Sequence, residues 1–289
     1  MAPERVASDA ICRAFPGLEA QGEIVVGDPQ QESGDGLATG DHLGDHGAEV
    51  DIAVDPLEGG LSCALGGPNA MSIMALGNKG SILRCPAHTY MSKIATTADG
   101  RGVVSLDKTP AENLAALAEA RSVYVEDLTV VILDRPRHDD LIEQVRSAGA
   151  RVRLIPHGDV AAAMAAARPD SAIDVLLGTG GASQGILSAA AIKCMGGFIQ
   201  CRFTPRDQSE TNALYEAGIH DVDRLLDVED MIAGPSLFAA TGVTNGEYLV
   251  GVEFSRGGAI THSVVMRSAS GTVRFLETHH RFDYKPDYS

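Results

Sequence analysis

Apolar and polar positions change rhythm twice along the 289-residue chain. In the first third, short apolar runs are broken by loops. Residues 1–15 fit a short helix. Residues 23–26 fit a strand that runs into GDPQQESGDGLATGDHLGDHG, a loop rich in Gly, Asp and His. EVDIAV and GSILRC read as strands, GGPNAMSIMALG as a buried segment, and PAENLAALAEA as a helix opened by proline. From about residue 125, continuous apolar runs alternate with helical patterns. LTVVILD precedes RHDDLIEQVRSAG, which Gly149 closes. RVRLIP precedes DVAAAMAAARP, and AIDVLLGTGG precedes SQGILSAAAIKCM. This β-α-β-α-β-α order predicts parallel strands with helices on the sheet faces. After about residue 236, EYLVGVEF, AITHSVVMRS and TVRFLETHH read as antiparallel strands, with turns at Asn245-Gly246, Gly257-Gly258 and Ser270-Gly271. The expected organisation is α/β. A discontinuous mixed-sheet domain spans 1–122 plus 236–289, and a parallel α/β domain at 123–235 is inserted into it.

Composition narrows this picture. Hydrophobic residues make up 44% of the chain, but aromatics only 4% and tryptophan none, so the core must be built from aliphatic side chains and Met. The formal charge of −16 repels nucleic acid and anionic membrane on average, and neither is expected as a partner. The five cysteines, at 12, 63, 85, 194 and 201, lack zinc-finger spacing and read as reduced thiols. MAPERVASDA has no apolar core of signal-peptide type, and no apolar run approaches the ~20 residues that span a bilayer. A cytoplasmic location is expected.

The candidate chemistry lies at strand ends. In DIAVDPLEGG, Asp55 closes an apolar run, and Pro56 cannot continue the ladder because it lacks an N–H. A turn there brings Glu58 back beside Asp55. Two adjacent carboxylates repel unless a proton or a cation sits between them, and hard oxygen ligands suit Mg²⁺ or Mn²⁺. Gly59 and Gly60 allow backbone N–H groups to approach an anion. Asp28 and Glu32 follow another short strand and could complete an acidic cluster; each alone also reads as a solvated loop residue. In DRPRH, Arg135 and Arg137 flank a stiffening proline at a strand end and suit a phosphate, although pairing with Asp139 and Asp140 is an equal alternative. LLGTGGASQG is a poor dinucleotide fingerprint because Ser183 stands where the third glycine is needed, but the helix start beside Gly181 could still face an anion.

The runs VDIAVDPLEGG, GGPNAMSIMALGNKGSIL, YMSKIA, LTVVILDRPRHDDLIEQVRSAGARVRLIPHGDVAAAM, DVLLGTGGASQGILSAAAIKCMGG and FAATGVTNGEYLVGV together resemble the class II fructose-1,6-bisphosphatases, in order and over nearly the whole chain. That family belongs to the lithium-sensitive, metal-dependent sugar phosphatases of layered αβαβα architecture. The resemblance implies hydrolysis of the 1-phosphate of a ketose bisphosphate with Mg²⁺ or Mn²⁺, by a homo-oligomer, dimer or tetramer. It places metal carboxylates at Asp28, Asp55 and Glu58, with Glu32 as the acid that orients or deprotonates water. Sugar-phosphate contacts fall on Glu58, Gly59, Gly60, Tyr90, Arg135, Arg137, His157, Asp159 and Gly181.

The pattern also breaks. Gly60 replaces a threonine whose hydroxyl helps orient the attacking water, a loss of about 10²–10³-fold in rate by analogy with other single stabilising groups. Gln184 replaces a metal-binding glutamate, and His157 an aspartate. The family's N-terminal helix and Gly-Arg-Gly-Asp-Lys stretch have no counterpart, and Glu4 lies nearest the aspartate of the family's ADGAAV segment. The departures keep open a binding protein that has lost catalysis, or a phosphatase with an altered substrate.

Overall fold

The computed structural model describes residues 3–27 and 37–284. In chain order the strands are β1 (Ala20–Val26), β2 (His42–Leu43), β3 (Ala48–Glu58), β4 (Met71–Asn78), β5 (Tyr90–Thr96), β6 (Thr129–Leu133), β7 (Arg151–Ile155), β8 (Val175–Gly181), β9 (Phe198–Phe203), β10 (Ser236–Gly242), β11 (Glu253–Ser255), β12 (Gly258–Arg267) and β13 (Thr272–Arg281). The helices are α1 (Pro3–Ala14), α2 (Gly60–Ala64), α3 (Pro110–Arg121), α4 (Asp139–Ser147), α5 (Asp159–Ala166), α6 (Ala182–Met195), α7 (Gln208–Glu216) and α8 (Val228–Met231).

Two sheets form. The larger runs β11-β12-β10-β4-β3-β1-β2, with β13 added to the outer side of β12, and the smaller runs β7-β6-β8-β5-β9. Period-two alternation decides which side chains face which layer. On the larger sheet, Ile24, Ile52 and Val54 point toward Phe15 just after α1, while Ala53, Ile73 and Ala75 point to the molecule's centre. On the smaller sheet, Val130, Ile132, Val175 and Leu177 face the cluster containing Leu114, Leu117, Ile142 and Val145 of α3 and α4. Val131 and Leu176 face inward. Between the sheets lie α5 and α6. All eight residues of α5 are buried, which is why DVAAAMAA carries no charge after its first position. The layers are therefore αβαβα, as the resemblance implied.

The parallel expectation holds for β6, β7 and β8, whereas β5 runs antiparallel to β8 and β9. Strand β5 precedes residue 123 yet belongs to the smaller sheet, so sheet membership does not follow a boundary at 122. Three local expectations need correction. The run at 80–85 forms only a single bridge, Ile82 to Ile232, because Ile82 N–H is taken by the buried Asp51 carboxylate at 3.0 Å. The strand expected over 247–254 shrinks to β11, since residues 245–251 close a turn in which Asn245 Oδ1 accepts from Gly251 N–H. The strand at Asp55 does not end at Pro56. Pairing with β4 skips from Asp55–Ile73 to Glu58–Met71, so β3 continues through an irregular step that absorbs the missing donor.

Candidate active site

The carboxyl ends of β3, β6, β7 and β8 converge with the start of α5, the place where open α/β sheets bind ligands. They enclose a cavity of about 350 Å³ lined by Asp55, Glu58, Arg135, Arg137, Asp159 and Gln184, among others. The irregular step in β3 sets its acidic wall. Asp55 Oδ1 accepts from Leu57 N–H at 3.2 Å, and Asp55 Oδ2 accepts from Gln184 Nε2 at 3.2 Å. Glu58 Oε1 accepts from Asp159 N–H, the first amide of α5, at 3.1 Å, where the helix dipole favours negative charge.

Glu58 Oε2 is buried with no hydrogen-bond partner among the described residues. Burial, then the charges of Asp55 and Asp159, push the Glu58 carboxyl well above the usual carboxylate range. The Asp159 amide and the Lys93 charge act weakly the other way. An orphaned buried oxygen beside a second carboxylate fits a hard cation. Among the described residues no three His, Cys, Asp or Glu side chains gather closely enough to hold a metal on their own. Asp28 and Glu32 lie outside the described residues.

The opposite wall is basic. Arg135 donates from Nη1 to Asp134 O at 2.8 Å and from Nη2 to Pro156 O at 2.6 Å, tying the end of β6 to the end of β7. Its Nη2 also lies 3.3 Å from His157 Nδ1. Burial, then the Arg135 charge, hold the His157 ring below its ordinary pKa and favour its neutral form. Arg137 donates from Nε to Thr179 O at 2.9 Å and lies over the Tyr90 ring, 5.3 Å from its centroid. The alternative pairing of these arginines with Asp139 and Asp140 does not form. Gly59 takes φ +77° and turns the chain between the acids and α2, and Gly59, Gly60 and Gly181 line the floor.

Sequence reasoning missed Lys93. Only 1% exposed, it is ion-paired to Asp159 beneath the cavity. The signal was a lysine inside the apolar run YMSKIA, at a position where alternation points it inward with Met91 and Ala95. It also missed Arg206, which stacks on the outer side of Tyr90 with its guanidinium 4.3 Å from the ring centroid. That contact crosses 116 residues and has no local signature.

Paired carboxylates with an unsatisfied oxygen, facing two braced guanidiniums across a cavity of sugar-phosphate size, define a phosphoric monoester hydrolase of the layered sugar-phosphatase class. The comparisons narrow the class. The chain belongs to the family described as bacterial fructose-1,6-bisphosphatase, glpX-encoded, which matches residues 1–280. It is 38% identical over 306 aligned residues to the D-fructose 1,6-bisphosphatase class 2/sedoheptulose 1,7-bisphosphatase of Synechococcus elongatus, covering 97% of this chain and 88% of that protein. The protein of the same name from Synechococcus sp. strain JA-3-3Ab gives the same identity and coverage.

Proposed function

We propose that this protein is a Mg²⁺- or Mn²⁺-dependent phosphatase that removes one phosphate from a ketose bisphosphate, with fructose 1,6-bisphosphate as the first substrate to test. The observation that carries this is the unpaired Glu58 Oε2 on one wall of a cavity whose other wall holds Arg135 and Arg137. Asp55 and Glu58, with Asp28, are the proposed metal ligands. A cation held by these residues would supply Lewis acidity for attack at phosphorus. Arg135 and Arg137 bind the second phosphate, and their brace to backbone carbonyls fixes the guanidinium planes before substrate arrives. Tyr90 and Asp159 orient the sugar, and Lys93 holds Asp159 in place. Sedoheptulose 1,7-bisphosphate, which the relatives' names include, is the second substrate to test.

Phosphate release from both bisphosphates by the intact protein, with Mg²⁺, Mn²⁺ and chelator, tests the proposal. Metal-dependent turnover on either supports it. No turnover on both, with substrate still raising Tm, supports the binding-only alternative instead. Among the described residues no helix is long and apolar enough to cross a membrane. A cytoplasmic location and a homo-oligomeric state complete the proposal.

A further inference from the structure

Strands β6 and β8 separate as they approach the cavity. Their parallel pairing covers Val130–Val175 and Val131–Leu176 and then stops. Beyond it, β6 stays with β7 as far as Leu133–Ile155, and β8 stays with β5 as far as Gly181–Tyr90. One side chain bridges the split, the ring of His138, which is only 2% exposed. Its Nδ1 lies 2.7 Å from Leu133 O of β6, and its Nε2 accepts from Thr179 N–H of β8 at 2.8 Å. A carbonyl can only accept and an amide N–H can only donate, so the two partners fix one neutral tautomer, protonated at Nδ1. Burial, the largest influence on the ring, lowers its pKa in the same sense. The ring lies against Gly178, where a Cβ would come within 3.2 Å of Cε1 and Nε2, so a bare backbone makes room for the imidazole. Thr179 is thus gripped twice by adjacent residues of one turn. His138 takes its N–H, and Arg137 donates from Nε to its carbonyl at 2.9 Å. Arg137 lines the cavity and His138 does not.

We propose that His138 is a positioning residue for phosphate binding: by holding Thr179 N–H across the gap between β6 and β8, its Nε2 sets the Thr179 carbonyl that aims the Arg137 guanidinium into the cavity. This inference rests on the phosphatase reading above, which gives Arg137 to the second phosphate. The physical basis is preorganisation. Arg137 is a long, flexible side chain, and a guanidinium already aligned loses less freedom when the anion arrives. Without an acceptor at the His138 position, the end of β8 has no partner on its β6 side, and the carbonyl that braces Arg137 is free to turn. His138 acts through Arg137 and does not touch the reacting atoms.

Two amide substitutions in the full chain separate the two bonds of the ring. Glutamine puts its oxygen near the Nε2 position and keeps an acceptor for Thr179 N–H, whereas asparagine puts its polar atoms near the Nδ1 position and keeps only the Leu133 bond. Calorimetric titration with fructose 6-phosphate in chelator reads the phosphate grip without turnover, and kcat and KM with Mn²⁺ and fructose 1,6-bisphosphate read it in the reaction. His138→Asn is expected to raise Kd about tenfold and KM by a similar factor, with kcat within about threefold, the mark of binding shared by ground and transition states. His138→Gln is expected to stay within about threefold of the parent in all three, because the acceptor is kept. Arg137→Ala is expected to raise Kd about 10–100-fold, and adding His138→Asn to it is expected to raise Kd no further. Equal Kd values for His138→Asn and His138→Gln overturn the proposal, as does a His138→Asn loss as large in the Arg137→Ala protein as in the parent. Nitrogen NMR of the parent's His138 ring judges the geometry without relying on any variant to fold: the Nδ1–H tautomer supports it, and the Nε2–H tautomer overturns it. A parent with no turnover on any bisphosphate overturns the phosphatase reading, while the Kd values still judge His138.

Discussion

Gln184 shows how one uncharged side chain retunes this site. Its Nε2 donates to Asp55 Oδ2 at 3.2 Å, and its Oε1 accepts from Ser183 Oγ at 3.0 Å. The amide therefore steadies Asp55 where a carboxylate would repel it. Gln184→Glu is expected to tighten Mn²⁺ binding about 10–100-fold by adding a charged oxygen, and to lower the chelator Tm by adding a second negative charge beside Asp55. Calorimetric titration and thermal melts check the two halves, and tightening without the Tm loss would contradict the steadying role. Glu58 gives a pH prediction. Its carboxyl is raised by burial, then by Asp55 and Asp159, so the folded state keeps a proton that the unfolded chain has lost. The folded state binds more protons, and stability from this group is fully present below the unfolded pKa of about 4.3 and falls as pH rises through the folded value. Metal-free protein is expected to lose stability from mildly acid to neutral pH, and Glu58→Gln to flatten that slope. Urea denaturation in chelator across the range checks it, and equal slopes for the two proteins would rule Glu58 out as the source.

At the scale of elements, β3 and α5 set the site together. The irregular step between Asp55 and Glu58 lets both carboxylates reach the cavity, and the start of α5 meets Glu58 with its first amide. Lys93 on β5 locks that helix start through Asp159, with both side chains almost sealed from water. Lys93→Met is expected to cost about 3–5 kcal/mol, because it strands the Asp159 charge beside Glu58. Adding Asp159→Asn to Lys93→Met is expected to recover most of that loss. Urea midpoints of the four proteins in chelator measure the coupling, and a Lys93→Met loss below ~1 kcal/mol would show that water reaches the pair. These elements also show what the sequence could carry. Apolar runs and helical spacing specified β6, β8, α4, α5 and α6 because both faces of those strands are covered by apolar layers, and β7, a largely exposed border strand, was legible from its place in the β-α-β rhythm. The acids at Asp55 and Glu58, in the last pairing steps of β3, and the arginines at 135 and 137, just after β6, were legible because each lies near the carboxyl end of an apolar run. Lys93 beneath Asp159 and Arg206 on Tyr90 were not. Each is a contact between distant segments that only the packed layers bring together.

At the scale of the whole molecule, the longest border strand of the larger sheet is β13. Strand β13 pairs with β12 on one side, and no described strand pairs with its other side. Nearly all of β13 is exposed, including Phe275 at 57% and Leu276 at 43%. A ten-residue edge with exposed aromatic and aliphatic side chains is a template for pairing with another chain unless something covers it. No residue of β13 lines the cavity. Our proposal of a homo-oligomer locates its contact here, with β13 of two copies side by side about a two-fold axis. Light scattering on the purified protein at micromolar concentration is expected to give a multiple of the 30.2 kDa chain mass. Leu276→Asp combined with Phe275→Asp, both on β13, is expected to return it to a single chain, with kcat within about threefold of the parent because neither residue lines the cavity. A single-chain mass for the parent protein would refute the contact outright. A multiple that survives the double substitution would move the interface to another face of the molecule.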